Sequence, residues 1–285
     1  MDRLDYKIDS NIKSINILDE NEFICGVNKV LSNESTDVTF GQEWYPIGYG
    51  IFQFLTNDEF TNLYEGISNT IKTIINTELG NDTSDFTLEK YHNYVHTNEE
   101  HLKVVSKTRD LFSEDFNFPI MEMIPKFEKF LNFKLTNINP KNKQNVHIIV
   151  RVNRPNSSDY NPPHKDMYEA YDGINNNGVS YFPQFVNFWI PIAGVTKKTS
   201  LPIAPKSHLV PENLISRTND GATLEGGKYR VRLIKDWNGS NELIRTDVTY
   251  GEMLVFSSHL IHGLGMNEED DLTRVALEFR LYKDE

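Results

Sequence analysis

Residues 252–283 read "EMLVFSSHLIHGLGMNEEDDLTRVALEFRLYK" and indicate the fold class of this chain. Two runs rich in β-branched and aromatic residues, "EMLVFSS" and "TRVALEFRLY", flank a segment of glycine, asparagine and acidic residues without helical periodicity. This pattern predicts two β-strands that are joined by a loop rather than by a helix.

The same pattern extends back to about residue 145. Five further β-rich runs, bounded by Gly, Pro and Asn, are "NVHIIVRV", "QFVNFWIPI", "TSLPIAP", "YRVRLIKDW" and "ELIRTDV". At least seven strands with no intervening helical pattern predict an antiparallel sandwich or jelly roll, which would form the core over residues 145–285.

Residues 1–144 carry helical signals and are predicted to form a helix-rich supporting part. "TNDEFTNLYEGISNTIKTIINTELG" begins at a Thr56 cap, has apolar side chains at helical spacing and ends at Gly80. "TNEEHLKVV" predicts a second helix, and "PIMEMIPKFEKFLNF" predicts a third that is broken or kinked at Pro125. We expect the helices to cover one face of the β core within a single domain, residues 1–285.

Composition limits the classes of function. The chain has 285 residues, of which 38% are hydrophobic and 12% aromatic, which is enough for a sizeable core. Cys25 is the only cysteine, so an intramolecular disulfide and a multi-cysteine zinc or iron–sulfur site are both excluded. Lys and Arg number 29 against 41 Asp and Glu, a net charge of −12 that argues against a broad nucleic-acid interface.

The first residues, "MDRLDYKIDSNIK", are charged and lack an apolar stretch of the kind found in signal peptides. No later run approaches the roughly 18 apolar residues that would cross a bilayer. The sequence therefore predicts a soluble, cytoplasmic protein with no membrane partner, and it leaves the oligomeric state open.

Candidate metal ligands occur in "NPPHKDMYEAYDG", residues 161–173. His164 and Asp166 are two positions apart, so on an extended strand their side chains point to the same side. "GEMLVFSSHLIHGLGMN" offers His259 and His262, which are three apart and therefore lie on opposite faces if the segment is extended. His262, at the strand end before a Gly-containing loop, is predicted to face the site, and His259 to pack on the other side.

Each ligand has an ordinary alternative, because an isolated His-x-Asp is often a chance occurrence and a lone histidine is often structural. Their combination, followed by an arginine on the next strand, favours non-haem Fe(II). Two imidazoles and one carboxylate leave three coordination positions, enough for a bidentate 2-oxo acid and dioxygen (O2). Arg274 is predicted to bind the far carboxylate of 2-oxoglutarate. Arg280 has the same strand parity and competes for this role, and a surface pair with Asp271 is the structural alternative for Arg274.

The second half of the chain also resembles a known family. Four segments occur in that family's order: "PPHKD", "VNFWIPI" followed by "SLPIAPKSH", "YGEMLVFSSHLIHGLGMN", and "TRVALEFR". Over roughly residues 145–283 the chain is similar to the phytanoyl-CoA dioxygenase-like branch of the Fe(II)/2-oxoglutarate-dependent oxygenases. The resemblance implies a double-stranded β-helix, the cupin-like form of the jelly roll, supported by helices.

Residue by residue, the resemblance implies that His164, Asp166 and His262 bind iron. It implies that Arg274 anchors the cosubstrate 2-oxoglutarate and that His208, in the "PKSH" turn, has a structural role.

Two positions depart from the family pattern. Some relatives carry a hydroxyl residue two positions after the distal histidine, and here that position is Leu264. Another donor must then assist in binding the 2-oxoglutarate carboxylate, and the candidates are Thr273, Asn187 and Tyr181. The familiar glycine of the "P-G-S-H" turn is replaced by Lys206.

The predicted reaction is hydroxylation, with release of succinate and CO2. Related halogenases have Ala or Gly in the place of Asp166, so the resemblance favours hydroxylation over halogenation and leaves desaturation, epimerisation and ring formation open. The alternatives are another non-haem metal enzyme of the cupin type, a non-catalytic jelly-roll binding protein, and an oxygenase-like protein with a regulatory role.

The substrate is predicted to be a small polar metabolite or a natural-product intermediate, because no apolar channel is evident. The segment "MYEAYDGINNNGVSYFPQF" is polar and aromatic, as is typical of a lid, although an ordinary surface loop has the same composition. Arg230 and Arg232 share one face of a predicted strand, which suggests either an anion-binding face or a solvated edge.

Overall fold

Curled β-sheets form the centre of the molecule. The structure, a computed structural model, describes residues 2–17, 21–170, 184–225 and 227–284. The strands are β1 (Asp2–Ile8), β2 (Asn11–Ile17), β3 (Phe23–Cys25), β4 (Tyr49–Gln53), β5 (Leu135–Thr136), β6 (Ile149–Asn153), β7 (Phe185–Ala193), β8 (Pro202–Ile203), β9 (Ile215–Thr218), β10 (Ala222–Leu224), β11 (Gly227–Tyr229), β12 (Ile234–Trp237), β13 (Glu242–Arg245), β14 (Glu252–Ser257) and β15 (Arg274–Lys283).

Helices lie mainly between β4 and β5. The α-helices are α1 (Asn57–Leu79), α2 (Asn98–Thr108), α3 (Ile124–Phe127) and α4 (Met167–Ala170). Short 3-10 helices occur at Leu88–Asn93, Ser113–Asp115, Ile120–Met123, Glu128–Phe130, Ser207–Leu209 and Glu212–Leu214.

The first sheet has the order β4-β14-β7-β15, and both β5 and β6 also pair with β15. All of its pairs are antiparallel. Every residue of β7 is buried, because one face of this sheet packs against helices and the other against the second sheet. This double burial explains why "QFVNFWIPI" is apolar at nearly every position.

The second sheet has the order β11-β10-β2-β1-β13-β8. Two isolated antiparallel bridges continue it, since Ile203 lies opposite His262 and His262 lies opposite His164. Trp189 and Phe256 of the first sheet share one apolar cluster with Ile203 of the second. Two mainly antiparallel sheets with their core between them are the jelly-roll arrangement that the sequence predicts.

The predicted elements are found close to where the sequence pattern places them. Each of the seven β-rich runs contains a strand, and "YRVRLIKDW" is divided between β11 and β12. Helix α1 begins at the capping box of Thr56 and Glu59 and ends at Gly80, which has a φ of 70°. Around Pro125 the chain forms only short helical turns, as the predicted break requires.

The helices cover the outer face of the first sheet. Ile67 and Ile71 of α1 belong to the same apolar cluster as Val186 and Phe188 of β7. Phe127 stacks on Phe188 with ring centroids 4.1 Å apart. The apolar side of α1 is therefore buried against the sheet, and this packing stabilises the strands of the sheet.

The first part of the chain differs from the prediction of a helix-rich region, because residues 2–53 supply β1, β2, β3 and β4. Leu4, Tyr6 and Ile8 alternate with charged residues, which is the period of a half-buried strand. Asp9 and Ser10 follow with φ values of 50° and 68° and form the tight turn into β2. The sequence analysis missed these strands because the helical pattern of α1 is the strongest signal in residues 1–144. The grouping of residues 1–285 into one domain stays a prediction.

Within the described ranges, none of the helices combines the length and the apolar character that crossing a membrane requires.

The packing of α1 on the sheet can be tested with two isoleucines. Ile71→Ala removes a side chain that is 0% exposed, so we expect the free energy of unfolding to fall by about 2–5 kcal/mol. Ile12→Ala, at a position that is 64% exposed, should change it by less than about 0.5 kcal/mol. Denaturant unfolding of both variants measures the difference, and equal losses would contradict this packing.

Candidate metal centre

The backbone pairing of two histidines builds the centre. The amide of His164 donates to the carbonyl of His262 at 2.9 Å, and the amide of His262 donates to the carbonyl of His164 at 3.0 Å. Directly opposed residues of an antiparallel pair place their side chains on the same face. The two imidazoles therefore lie side by side, with ring centroids 4.4 Å apart.

Asp166 completes a group of three potential ligands. Its Oδ1 lies 3.4 Å from Nε2 of His164, and its Oδ2 lies 3.5 Å from Nε2 of His262. One nitrogen or oxygen atom from each residue lies within 4.8 Å of the others, and all three residues are buried. The structure thus brings together the three residues that the sequence predicts as metal ligands.

Hydrogen bonds orient both imidazoles. Nδ1 of His164 lies 2.7 Å from the carbonyl oxygen of Pro162, and Nδ1 of His262 lies 3.1 Å from that of Leu260. A carbonyl oxygen can only accept, so each Nδ1 carries a proton, and in the neutral form of the ring Nε2 keeps a free lone pair. Nε2 of His164 is buried without a hydrogen-bond partner among the described residues. An orphaned, inward-facing imidazole nitrogen of this kind fits a metal ligand.

The protonation states also fit metal binding. Burial raises the pKa of Asp166, but the positive Arg280 and the two histidines lower it by more, so the carboxyl group stays ionised. Nη2 of Arg280 donates to Oδ1 of Asp166 at 2.7 Å. Burial lowers the pKa of His262 to about 4, so its ring is neutral at neutral pH. A carboxylate and a neutral imidazole are the forms that bind metal ions.

Lys165 holds the ligand segment from behind. It lies between the two ligands in sequence and is only 1% exposed, and its Nζ donates to Oε1 of Glu212 at 2.8 Å. Tyr168 donates to the other carboxylate oxygen of Glu212. Because alternate residues of an extended segment point to opposite sides, this buried ion pair keeps His164 and Asp166 directed into the site.

Gly263 allows the close approach of the two ligand segments. Its φ is 139°, and a Cβ atom at this position would lie 2.4 Å from the carbonyl oxygen of Pro162. That oxygen is the one that orients His164. The His-Gly dipeptide therefore has a steric role in the centre as well as supplying a ligand.

A cavity adjoins the triad. Arg274 lines it and is 1% exposed, with its Nη1 3.4 Å from the carbonyl oxygen of Thr199 and its Nη2 bonded to the side-chain oxygen of Asn153. Burial lowers the pKa of Arg274 to about 9, so it is charged at neutral pH. Among the described residues, no carboxylate lies within ion-pair distance of this guanidinium.

The other two arginines of this cavity are paired. Nε and Nη2 of Arg151 donate to the two oxygens of Glu278 at 2.6 and 2.7 Å, and Arg280 donates to Asp166. Three guanidinium groups and two carboxylates therefore line the described part of the cavity, and Arg274 is left without a counter-ion. An unpaired buried cation is costly unless an anion binds beside it.

Two of the three candidates for a helper donor are described residues. Asn187 lines the cavity, and neither its amide nitrogen nor its amide oxygen has a hydrogen-bond partner among the described residues. Thr273 is buried elsewhere, with its hydroxyl 2.8 Å from Nδ1 of His92. Tyr181 lies outside the described residues. Asp271 interacts with Lys90 and His92, so the predicted surface alternative for Arg274 is not observed.

His259 and His208 lie outside the triad. Nε2 of His259 is 3.1 Å from the carbonyl oxygen of Thr36, and Nε2 of His208 is 2.8 Å from that of Tyr45. Both side chains are fully buried.

Several residues of the cavity were not identified from the sequence, namely Arg151, Asn153, Trp189 and Glu278. Two of them could have been predicted, because they occupy alternate positions on the same strands as residues that the sequence analysis had named. Glu278 shares the parity of Arg274 and Arg280 on β15, and Trp189 shares that of Asn187 on β7.

Comparison with known proteins gives structural neighbours only, because no protein-family model and no curated protein matches the chain. EvdO2 from Micromonospora carbonacea var. aurantiaca, complexed with 2-oxoglutarate, is 14% identical with a TM-score of 0.46, over 92% of this chain and 94% of that one. EctD from S. alaskensis with 2-oxoglutarate and 5-hydroxyectoine is 10% identical with a TM-score of 0.47, over 94% and 86%.

The epimerase SnoN, in complex with Fe3+, alpha ketoglutarate and nogalamycin RO, is 12% identical with a TM-score of 0.40, over 85% of this chain and 80% of that one. Identities this low do not transfer residue roles, so the chemistry of the site is derived from its own side chains.

The steric role of Gly263 can be tested. Gly263→Ala should displace the Pro162 carbonyl and misorient His164, so we expect the affinity for divalent metal to fall by about 10- to 100-fold. Gly239→Ala is the matched control, because Gly239 also has a positive φ, 73°, but no atom lies within 4 Å of a Cβ there. Metal titration of both variants measures the effect, and an equal effect at the two glycines would refute the role assigned to Gly263.

Proposed function

We propose that the protein is a non-haem Fe(II)- and 2-oxoglutarate-dependent dioxygenase of the phytanoyl-CoA dioxygenase-like type. In this proposal it hydroxylates a small polar metabolite or natural-product intermediate. One observation carries the proposal: a buried His-Asp-His group and a buried arginine without a counter-ion line the same cavity.

Iron fits the ligand set. His164 and His262 offer imidazole nitrogen atoms and Asp166 offers an ionised oxygen. Two histidines with one carboxylate are the ligands of many non-haem Fe(II) oxygenases. Arg280 holds one oxygen of Asp166, and the backbone carbonyls of Pro162 and Leu260 hold the imidazoles. The protein thus orients each ligand through a second contact.

2-Oxoglutarate fits the other end of the cavity. Arg274 would bind its far carboxylate, because a guanidinium pairs with a carboxylate through two parallel hydrogen bonds. The side-chain amide of Asn187, whose buried polar atoms have no partner among the described residues, would bind a second polar group of the cosubstrate. Trp189, Leu201 and Phe256 form apolar walls that exclude water from the reaction.

Iron with 2-oxoglutarate and O2 would supply oxidative decarboxylation of the 2-oxo acid to succinate and CO2, coupled to hydroxylation of a C–H bond. The protein's own contribution is to hold the ligands in place, to neutralise the cosubstrate through Arg274 and to keep the site dry. The cytoplasmic location and the absence of nucleic-acid and membrane partners stay predictions of the sequence.

Two other functions use the same fold. Another cupin-type metal enzyme would need the three ligands but not a buried cation facing them, and a binding protein would need neither. Arg274 therefore favours an oxygenase that uses a 2-oxo acid over both alternatives.

The ligand assignment predicts the effect of two histidine substitutions. His262→Ala should lower Fe(II) affinity and turnover by orders of magnitude, because two remaining ligands hold a labile ion poorly. His259→Gln should retain the metal stoichiometry, because His259 lies outside the triad, although its stability will fall. Metal analysis of the folded proteins decides, and full iron content in His262→Ala would exclude this assignment.

The cosubstrate assignment predicts that Arg274 and Arg280 have different effects. Leaving the 2-oxoglutarate carboxylate unpaired in a buried site costs about 3–5 kcal/mol, so Arg274→Ala should weaken 2-oxoglutarate binding by about 100-fold or more. Arg274→Lys should recover part of the loss. Arg280→Ala removes the partner of Asp166 and should lower Fe(II) affinity first.

Anaerobic titration of 2-oxoglutarate, followed by the metal-to-ligand charge-transfer absorption of the Fe(II) complex, separates these effects. Loss of 2-oxoglutarate binding in Arg280→Ala alone, at full iron content, would make Arg280 the anchor. A wild-type protein that binds iron but never forms the complex would contradict the oxygenase function.

A further inference from the structure

A second cavity lies beside the metal centre. It has a volume of about 320 Å³, and Asp166 and Arg280 line both this cavity and the one that contains Arg274. It therefore reaches Asp166, one of the three proposed ligands, from a side that His164 and His262 do not line. A molecule bound there would have one end next to Asp166 and Arg280.

Arg109 gives this cavity its charge. It is the residue that ends α2, it is half-buried, and its Nε is buried without a hydrogen-bond partner among the described residues. No described carboxylate lies within ion-pair distance of it. Burial lowers the pKa of Arg109 to about 10, so the guanidinium is charged at neutral pH.

The carboxylates near Arg109 do not neutralise it. Glu278 is held by Arg151 through two hydrogen bonds, Asp159 is held by Arg154, and Asp166 is held by Arg280. Asp110, which lines the same cavity, is exposed, so solvent screens its charge. The inner part of the cavity therefore has a positive charge that a bound anion would compensate.

The walls of the cavity suit a polar molecule. Asn139, Gln144 and Asn145 contribute amide side chains from the hairpin that follows β5. Phe185 and Tyr282 line the same cavity, with ring centroids 5.7 Å apart. Amides with a pair of aromatic rings provide hydrogen bonds and a flat apolar surface for one ligand.

We propose that this second cavity is the substrate site and that Arg109 binds an anionic oxygen group, a carboxylate or a phosphate, of the substrate. The inference rests on the proposed oxygenase function and adds the substrate class to it. The anion fixes one end of the substrate at Arg109, and the C–H bond to be oxidised then lies toward Asp166 and the metal. Arg230 and Arg232, which the sequence suggested for this task, line neither of the two cavities.

The test uses three probes with the same ring: phenylacetate, phenyl phosphate and the neutral phenylacetamide. Binding to the full-length protein is measured by ligand-observed NMR under anaerobic conditions with Fe(II), with and without excess 2-oxoglutarate. We expect at least one anion to bind more tightly than the amide, and to remain bound when 2-oxoglutarate is in excess. The preferred anion then identifies the substrate as a carboxylate or a phosphate.

Variants assign the binding to Arg109. Arg109→Gln should weaken anion binding by about tenfold or more, because one charge-assisted contact is lost, and Arg109→Lys should retain part of it. Asp110→Asn should strengthen anion binding by about twofold, since a nearby negative charge is removed. Arg230→Gln, at an exposed arginine that lines neither cavity, is the control and should have no effect.

Three results would overturn the inference: no binding of either anion, equal binding of phenylacetamide, or anion binding that Arg109→Gln leaves unchanged. Displacement of the anions by 2-oxoglutarate would likewise place them at Arg274 and not at Arg109. The proposed function fails separately, because an absent charge-transfer complex together with Arg109-dependent anion binding would reject the oxygenase and keep the anion site.

Discussion

The two hydrogen bonds between the backbones of His164 and His262 are the contact on which the candidate centre depends. They join segments that lie far apart in sequence and extend the second sheet by way of β8. Antiparallel pairing directs both imidazoles to one face, and the two-residue period of an extended chain adds Asp166 to that face. The same pairing requires Gly263, since a side chain there would collide with Pro162. The backbone pairing of His164 with His262 therefore determines both the extension of the sheet and the geometry of the ligands.

Electrostatics supports this arrangement on both sides of the ligand segment. Behind it, Lys165 is neutralised by Glu212, and in front of it Arg280 is neutralised by Asp166. Burying such ions is stabilising only when they are paired and hydrogen-bonded. Arg274 departs from this rule, because it is as buried as Lys165 and has no carboxylate partner among the described residues. A costly feature that packing does not explain is typical of a binding site.

Local patterns predicted much of this molecule. Period-two alternation located the strands, the Thr56 capping box and Gly80 located α1, and strand parity selected His262 over His259. Parity could also have separated Thr273 from Arg274, because neighbouring residues of a strand face opposite sides. The strands of the first 53 residues, such as β1, were missed because the helical signal of α1 is stronger. Arg109 could not be found from sequence, because it ends a helix and reaches the site only through tertiary packing.

The two cavities assign different tasks to arginines that look equivalent on β15. Arg274 and Arg280 have the same parity, yet only Arg280 lines both cavities, and it is bonded to a metal ligand. To anchor 2-oxoglutarate, Arg280 would have to leave Asp166, which would leave a buried carboxylate without its strongest partner. Arg274 can bind an anion without breaking an ion pair. Binding of 2-oxoglutarate therefore costs less free energy at Arg274 than at Arg280. In the proposed arrangement the cosubstrate lies in the Arg274 cavity and the substrate in the Arg109 cavity, and Arg280 stays bound to Asp166 between them.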